Sequence, residues 1–206
     1  MENNPREDPR IAFFDSIAGA WDGWHDLAAL AKRLDAEFEG FGIRASETVL
    51  DVGCGTGNLT LSLLNRLGSG GRVIALDISQ AMLDRAQQKI RDPRVTWIRA
   101  SAGLIPVADA SCDRIICFSV WPHFGDPAAV VREFRRVLRA DGSVHILHLI
   151  SREEVNRIHG QGDPSIRDDQ LKPVQETAGL FERDGFTLVA TADGSDRYLV
   201  TVRKGS

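Results

Sequence analysis

Apolar and polar positions alternate along the chain in two rhythms. From about Asp26 to Phe41, Leu27, Leu30, Ala31, Leu34 and Phe38 recur at three- and four-residue steps, the period of an amphipathic helix, and Gly40 and Gly42 end it. Thr48 to Val52 is a short β-branched run closed by glycines, which predicts a buried strand. A helix is expected over Leu59 to Leu67, stopped by Gly68, Gly70 and Gly71. The alternation continues with a strand at Arg72–Leu76, a helix at Ser79–Ile90 and strands at Val95–Ile98 and Arg114–Phe118. A helix at Pro127–Leu138 and a strand at Ser143–Ile150 follow. Strand and helix in strict turn imply a parallel sheet covered by helices on both faces. The tail breaks the rhythm. Phe186–Ala192 and Arg197–Val202 are strand-like runs around Asp193-Gly194-Ser195-Asp196, which predicts a hairpin and one antiparallel strand. Ser151 to Pro173, polar and broken by Gly160, Gly162 and Pro164, is expected to be an inserted helix and loop.

Composition narrows the class. The 206 residues suit one domain, 43% hydrophobic and 26% charged, so an ordinary globular chain. The domain is expected to comprise an N-terminal helical cover (1–42), a ligand-binding core (43–150) and a segment with the inserted helix, loop and hairpin (151–206). Twenty-five Lys and Arg against twenty-nine Asp and Glu give a net charge of −4, the wrong sign for a polyanion binder. No apolar run has the roughly 18 residues of a membrane span, and Met1–Arg10 lacks the apolar stretch of a secretory signal, so a cytoplasmic protein is expected. Cys54, Cys112 and Cys117 are spaced for neither a disulfide framework nor a zinc clip, and no metal site is expected from them.

The chemistry concentrates in Val49-Leu50-Asp51-Val52-Gly53-Cys54-Gly55-Thr56-Gly57-Asn58. A buried strand enters three alternating glycines and a helix follows, so a ligand can lie directly on backbone. The dinucleotide fingerprint needs a third glycine where Asn58 stands. Asp51, two residues before the first glycine, would repel a diphosphate and suit a cation. Asp77, about 20 residues further on, is placed to accept from two ribose hydroxyls; alternatively Asp77 or Ser79 caps the next helix. Ile78 offers an apolar side to a purine.

These residues resemble those of class I S-adenosylmethionine-dependent methyltransferases, in the broad group of ubiquinone and menaquinone C-methyltransferases. The resemblance runs from Phe13 to about Leu149 and includes Leu138-Arg139-Ala140-Asp141-Gly142-Ser143, similar to the turn these enzymes place before their fifth strand. It implies a Rossmann-like, doubly wound seven-stranded sheet, mostly parallel with one antiparallel strand, and S-adenosyl-L-methionine as cofactor. It implies that Asp51, Gly53, Cys54, Gly55 and Gly57 hold the methionine end and Asp77 the ribose. Ile78, Met82, Ser101, Ala102 and Ser119 would line the rest of the cofactor. Ser101 departs from the family, which usually has an acid there. Trp21, in Phe13-Phe14-Asp15-Ser16-Ile17-Ala18-Gly19-Ala20-Trp21-Asp22, would cover the cofactor or simply pack with Phe13 and Phe14.

Methyl transfer from a sulfonium needs mainly alignment, and a base only where the acceptor must lose a proton. Phe118-Ser119-Val120-Trp121-Pro122-His123-Phe124 lacks the Asn/Asp-Pro-Pro-aromatic motif of enzymes that act on adenine or amide nitrogen. His123, His148 and His159 are the catalytic candidates, as a base or as metal ligands, against the ordinary reading of hydrogen-bonded structural histidines. Arg132, Arg135, Arg136 and Arg139 form a basic stripe, either a solvated face or an anion-binding one. The expected function is methyl transfer to a small-molecule acceptor by a monomer or homodimer, without nucleic acid or membrane. A non-catalytic S-adenosylmethionine-binding protein and a nicotinamide-dependent oxidoreductase remain as alternatives.

Overall fold

The computed structural model describes residues 8–205. Met1–Glu7, most of the polar start considered above, lie outside the described residues. The strands form a seven-stranded mixed sheet. The chain divides into two compact units, one ending at Ser101 and the other beginning at Ala102.

The first unit contains α1 (Pro9–Ile17), α2 (Leu27–Phe41), β1 (Thr48–Val52), α3 (Asn58–Arg66), β2 (Arg72–Asp77), α4 (Gln80–Lys89) and β3 (Val95–Arg99). β1 and β2 pair in parallel from Thr48 opposite Arg72 to Val52 opposite Leu76, and β2 pairs in parallel with β3. Val49, Leu50 and Val52 are fully buried, as the unbroken apolar run of β1 requires. α2 begins where the Asp26 carboxylate accepts from the N–H groups of Ala28 and Ala29. It stops at Gly42, whose φ of +64° is the left-handed end that glycine makes cheaply. Only Leu34 and Phe38 of its stripe are buried; Leu27 and Ala31 stay exposed. The 15-residue helix packs on the nine-residue α3, so its first turns outrun their support. A single 3₁₀ turn, Trp21–Trp24, joins α1 to α2.

The second unit contains β4 (Cys112–Phe118), α5 (Pro127–Val137), β5 (Leu138–His148), α6 (Arg152–Gly160), α7 (Val174–Arg183), β6 (Phe186–Asp193) and β7 (Tyr198–Lys204). β4 and β5 are parallel, while β7 runs antiparallel to both of its neighbours, β5 and β6. β7 is therefore the single antiparallel strand that the hairpin pattern predicts.

Two elements correct the sequence reading. The strand expected at Ser143–Ile150 begins at Leu138, because Leu138 already pairs with Cys112 before the register shifts and resumes at Arg114 opposite Ser143. The expected turn survives as that irregularity, with Asp141 at φ +61°. Residues 174–183, given no element above, form α7. Its Val174, Thr177, Ala178 and Phe181 are buried at helical spacing, a stripe in which Thr177 and Ala178 carry little hydrophobic signal. Phe181 stacks on Trp121 with ring centroids 5.4 Å apart and meets Phe134 and Phe186.

Most of the basic stripe on and after α5 is engaged within its own unit. Arg136 binds Glu133, Asp109 and the carbonyls of Ile105 and Val107; Arg135 donates to the Asp184 carbonyl; Arg139 pairs with Asp113. Among the described residues, no helix is long and apolar enough to cross a membrane.

Candidate functional site

The glycine turn after β1 is built from left-handed backbone. Gly53, Gly55 and Gly57 have φ of +68°, +52° and +82°. A side chain at Gly57 would stand 2.9 Å from Ile90 Cδ1 and 3.2 Å from Ala86 Cβ, so this glycine also lets α3 begin close to α4. Gly55 is the opposite case, with nothing within 4 Å of where a Cβ would lie. The turn is pinned to β2: the N–H groups of Gly53 and Cys54 both donate to the Leu76 carbonyl, at 2.7 and 3.0 Å.

Two carboxylates are buried beside this turn. Asp51, on β1, is 1% exposed, and Thr60 Oγ1 donates to its Oδ2 at 2.6 Å. Asp77 ends β2 at 8% exposure; its Oδ2 accepts from the Gly55 N–H and its Oδ1 from the Ser79 N–H, both at 2.8 Å. Ser79, not Asp77, caps α4, through a hydrogen bond from the Met82 N–H. Asp77 thus clamps the glycine turn to the entrance of α4, and each of its oxygens keeps a lone pair for a ligand. Burial pushes the Asp51 carboxyl up to about 7; the Thr60 hydroxyl pulls the other way and the Asp77 charge adds to the rise. Burial also raises Asp77, against donation from the Ser79, Gly55 and Ile78 backbone. Neither acid has an ion-pair partner among the described residues. The two acids are buried without a counter-ion among the described residues, a state that a cationic ligand relieves.

The N-terminal segment is tied to the same turn by contacts 34 to 67 residues apart in sequence. Asp15, on α1, accepts from Ser79 Oγ at 2.5 Å and from the Ala81 N–H at 3.2 Å. Asp22, in the 3₁₀ turn, accepts from Thr56 Oγ1 at 2.5 Å, from Asn58 Nδ2 at 3.0 Å and from Lys89 Nζ at 2.8 Å. Partial burial works to raise the Asp22 carboxyl, but donation from Lys89, Thr56 and Asn58 holds it below the usual carboxylate range. Trp21 packs with its own neighbours, Trp24 at 5.7 Å and His25 at 5.6 Å, while Phe13 and Phe14 meet each other at 5.1 Å. Sequence reasoning set an aromatic–Asp pair in this segment over the cofactor and missed the partners Thr56, Thr60 and Lys89. The signal was there in Asp15 and Asp22, two acids in an otherwise small and aromatic stretch, but their partners are visible only after folding.

The Asp22–Lys89 pair is partly exposed, so Lys89→Met should cost under about 1 kcal/mol. We expect amide exchange over residues 21–25 to speed up by no more than about fivefold, with 0.5 M salt producing much of the same effect in the parent protein. A global loss of protection would show that the segment is part of the folding core.

The other residues expected near a ligand are distributed as follows. Ile78 and Ser101 are half-buried and Met82 is buried, all in the first unit. Cys54 is buried, and burial, with the charges of Asp51 and Asp77 adding, pushes its thiol well above the usual value, which fits no nucleophile. In the second unit, Ala102 is buried and Ser119 follows β4 at φ +56°. His123, His148 and His159 also lie in the second unit. The rings of His123 and His159 are 4.7 Å apart, and both imidazoles act electrostatically on His148. His145, three residues before His148, faces elsewhere, onto Arg114 and Thr201.

Comparison with known proteins gives three findings. Residues 50–146 match a family model described as "Methyltransferase domain". The chain is 33% identical over 141 residues to a demethylmenaquinone methyltransferase of Lactobacillus johnsonii, covering 65% of this chain and 58% of that one. It is 31% identical over 141 residues to the ubiquinone/menaquinone biosynthesis C-methyltransferase UbiE of Hahella chejuensis, covering 65% and 57%. The chain therefore spans less than two thirds of the length of these curated relatives. A solved SAM-dependent methyltransferase from Aquifex aeolicus superposes with a TM-score of 0.70 at 21% identity, over 82% of this chain and 88% of that one, which shows the shared fold.

Proposed function

We propose S-adenosylmethionine-dependent methyl transfer to a small-molecule acceptor, for a chain whose residues 50–146 match the methyltransferase domain model and whose seven-stranded sheet matches the fold of solved methyltransferases. One observation carries the reading: two buried carboxyl groups, Asp51 and Asp77, stand without a counter-ion among the described residues, beside a glycine turn whose Gly55 opens onto free space. A diphosphate would add negative charge to that floor, whereas an amino acid joined to a nucleoside brings an ammonium and two hydroxyls. The cofactor would supply an activated methyl group on a sulfonium. Asp51 balances its ammonium, Asp77 accepts from its ribose hydroxyls, and Ile78 and Met82 offer apolar surface to its purine. Ser101, by the resemblance, would accept from the adenine amino group through its hydroxyl. The relatives are named as a demethylmenaquinone methyltransferase and a ubiquinone/menaquinone biosynthesis C-methyltransferase, so demethylmenaquinone is the first acceptor to assay.

The Asp51 carboxyl sets a pH dependence. Its folded value of about 7 lies above the ordinary 3.8, so the folded protein binds more protons than the unfolded chain across that interval. This group's stabilisation of the ligand-free fold is full below about 4 and is lost as pH rises through about 7. Ammonium binding runs the other way, because it needs the carboxylate. Affinity for S-adenosylmethionine should rise about tenfold from pH 6 to pH 8, and Asp51→Asn should flatten the profile. Calorimetric titration at the two pH values checks this. A flat profile in the parent protein would remove Asp51 from the site, and tighter binding of NADH than of S-adenosylmethionine would overturn the reading. Cofactor binding with no methyl consumed across a broad acceptor panel would favour a binding protein over an enzyme.

A further inference from the structure

α3 begins without a side chain to cap it. Its N-cap is Gly57, at φ +82°, which has nothing to offer the free N–H groups of the first turn. The acceptor comes from β1 instead. Asp51 accepts from the backbone of Thr60, the third residue of α3, and Thr60 Oγ1 donates to Asp51 Oδ2 at 2.6 Å. An ordinary N-cap side chain bonds at that same place in the helix. Both partners are sealed from water, Thr60 at 0% exposure and Asp51 at 1%.

Thr60 lies on the buried face of α3 with Leu59, Leu63 and Leu64, where packing alone favours an apolar side chain and a hydroxyl must find a partner. Ser62, two residues on, shows the usual local outlet, a bond back to the Asn58 carbonyl at 3.2 Å. Thr60 directs its hydrogen across to β1, at a separation in the range of a hydroxyl on an ionised carboxylate. The titratable groups beside Asp51 are Asp77, at the end of β2, and Cys54, in the glycine turn, whose thiol burial keeps neutral. Burial opposes a charge on Asp51 and so does Asp77, while the hydroxyl and the backbone of Thr60 favour it. The carboxylate also faces the positive end of α3.

We propose that Thr60 is a positioning residue for the donor: its hydroxyl and its amide hold Asp51 as a fixed carboxylate for the ammonium of S-adenosylmethionine, and the same contact caps α3. The proposal rests on the donor reading above. Thr60 acts through Asp51 and is given no contact with the cofactor.

The test compares the full parent chain with Thr60→Val and Thr60→Ser. Without donor, the side-chain carboxyl carbon of Asp51 is followed by ¹³C NMR from pH 5 to pH 9. We expect a midpoint near 7 in the parent, about one pH unit higher in Thr60→Val, and close to the parent in Thr60→Ser, which restores the hydroxyl. Thr60→Ala removes the hydroxyl without placing a methyl against Asp51, should move both readouts the same way, and replaces the valine variant if that chain does not fold. With donor, calorimetric titration should find Thr60→Val about fivefold weaker than the parent at pH 7 but within about twofold at pH 8.5, where both carboxyls are mostly ionised. The donor's own titration cancels in that ratio. A threonine with only a structural role would leave the Asp51 midpoint in place, or weaken binding by the same factor at both pH values, and either result overturns the proposal. A midpoint that moves in Thr60→Val while the parent binds no S-adenosylmethionine would overturn the donor reading, and the ammonium named here with it, and would leave the hold of Thr60 on Asp51 standing.

Discussion

Asp77→Ala should weaken S-adenosylmethionine binding about a hundredfold, close to 3 kcal/mol, in a calorimetric titration. Two losses combine. The proposed ribose contacts are hydrogen bonds to a charged acceptor, the stronger kind. The same carboxylate also closes the turn, and without it the N–H groups of Gly55 and Ser79 lose their acceptors, so the glycine backbone no longer holds its shape. Asp77→Asn is not a mild substitute. An amide has one oxygen where the structure uses two, so its NH₂ must face either the Gly55 or the Ser79 N–H. The asparagine variant should therefore retain less than a tenth of the parent affinity, in contrast to Asp51→Asn, which mainly removes pH dependence. An unchanged dissociation constant for Asp77→Ala would show that the clamp is structural and that the ribose lies elsewhere.

Phe181→Ala should produce the largest loss of stability, about 3–5 kcal/mol in urea denaturation. Phe181 is fully buried, stacked on Trp121, parallel to Phe134 at 6.5 Å and edge-on to Phe186 at 5.4 Å. Its removal leaves a cavity bounded by three rings from a 3₁₀ turn, α5 and β6, rigid neighbours that cannot collapse into the space. Phe181→Leu should cost roughly a third as much, and Leu188→Ala, at a site already 38% exposed, no more than about 0.5 kcal/mol. A cost below about 1 kcal/mol for Phe181→Ala would mean that α7 does not depend on this ring for its place in the unit.

The elements that the sequence revealed are those whose local signals agree. Thr48–Val52 matches β1 residue for residue, because a β-branched run flanked by glycines admits no competing period. The Pro127 helix was equally clear, since the Asp126 cap and the buried face of Val130, Val131, Phe134 and Val137 coincide. α7 was not legible, as its buried face includes a threonine and an alanine. Thr177 is buried there because Tyr198, 21 residues away, donates its hydroxyl hydrogen to Thr177 Oγ1, which no periodicity can foretell. The irregular start of β5 was read as a turn for a similar reason: whether Leu138 extends a helix or joins a strand depends on Cys112 being opposite it.

The chain's own sequence determined the order of most strands and helices, the glycine turn and the two acids carried by β1 and β2, because each of these is a short-range choice of backbone and period. Tertiary structure decided what those groups experience. Asp51 becomes a carboxyl that titrates near neutrality only because folding removes water and sets Asp77 beside it. Asp22 becomes a tether only when Thr56, Asn58 and Lys89 arrive around it. His123 and His159, 36 positions apart, become neighbours because the 3₁₀ turn after β4 and α6 both meet Asp169. Desolvation and long-range pairing are properties of the closed fold, and a linear pattern holds the residues for them without the distances.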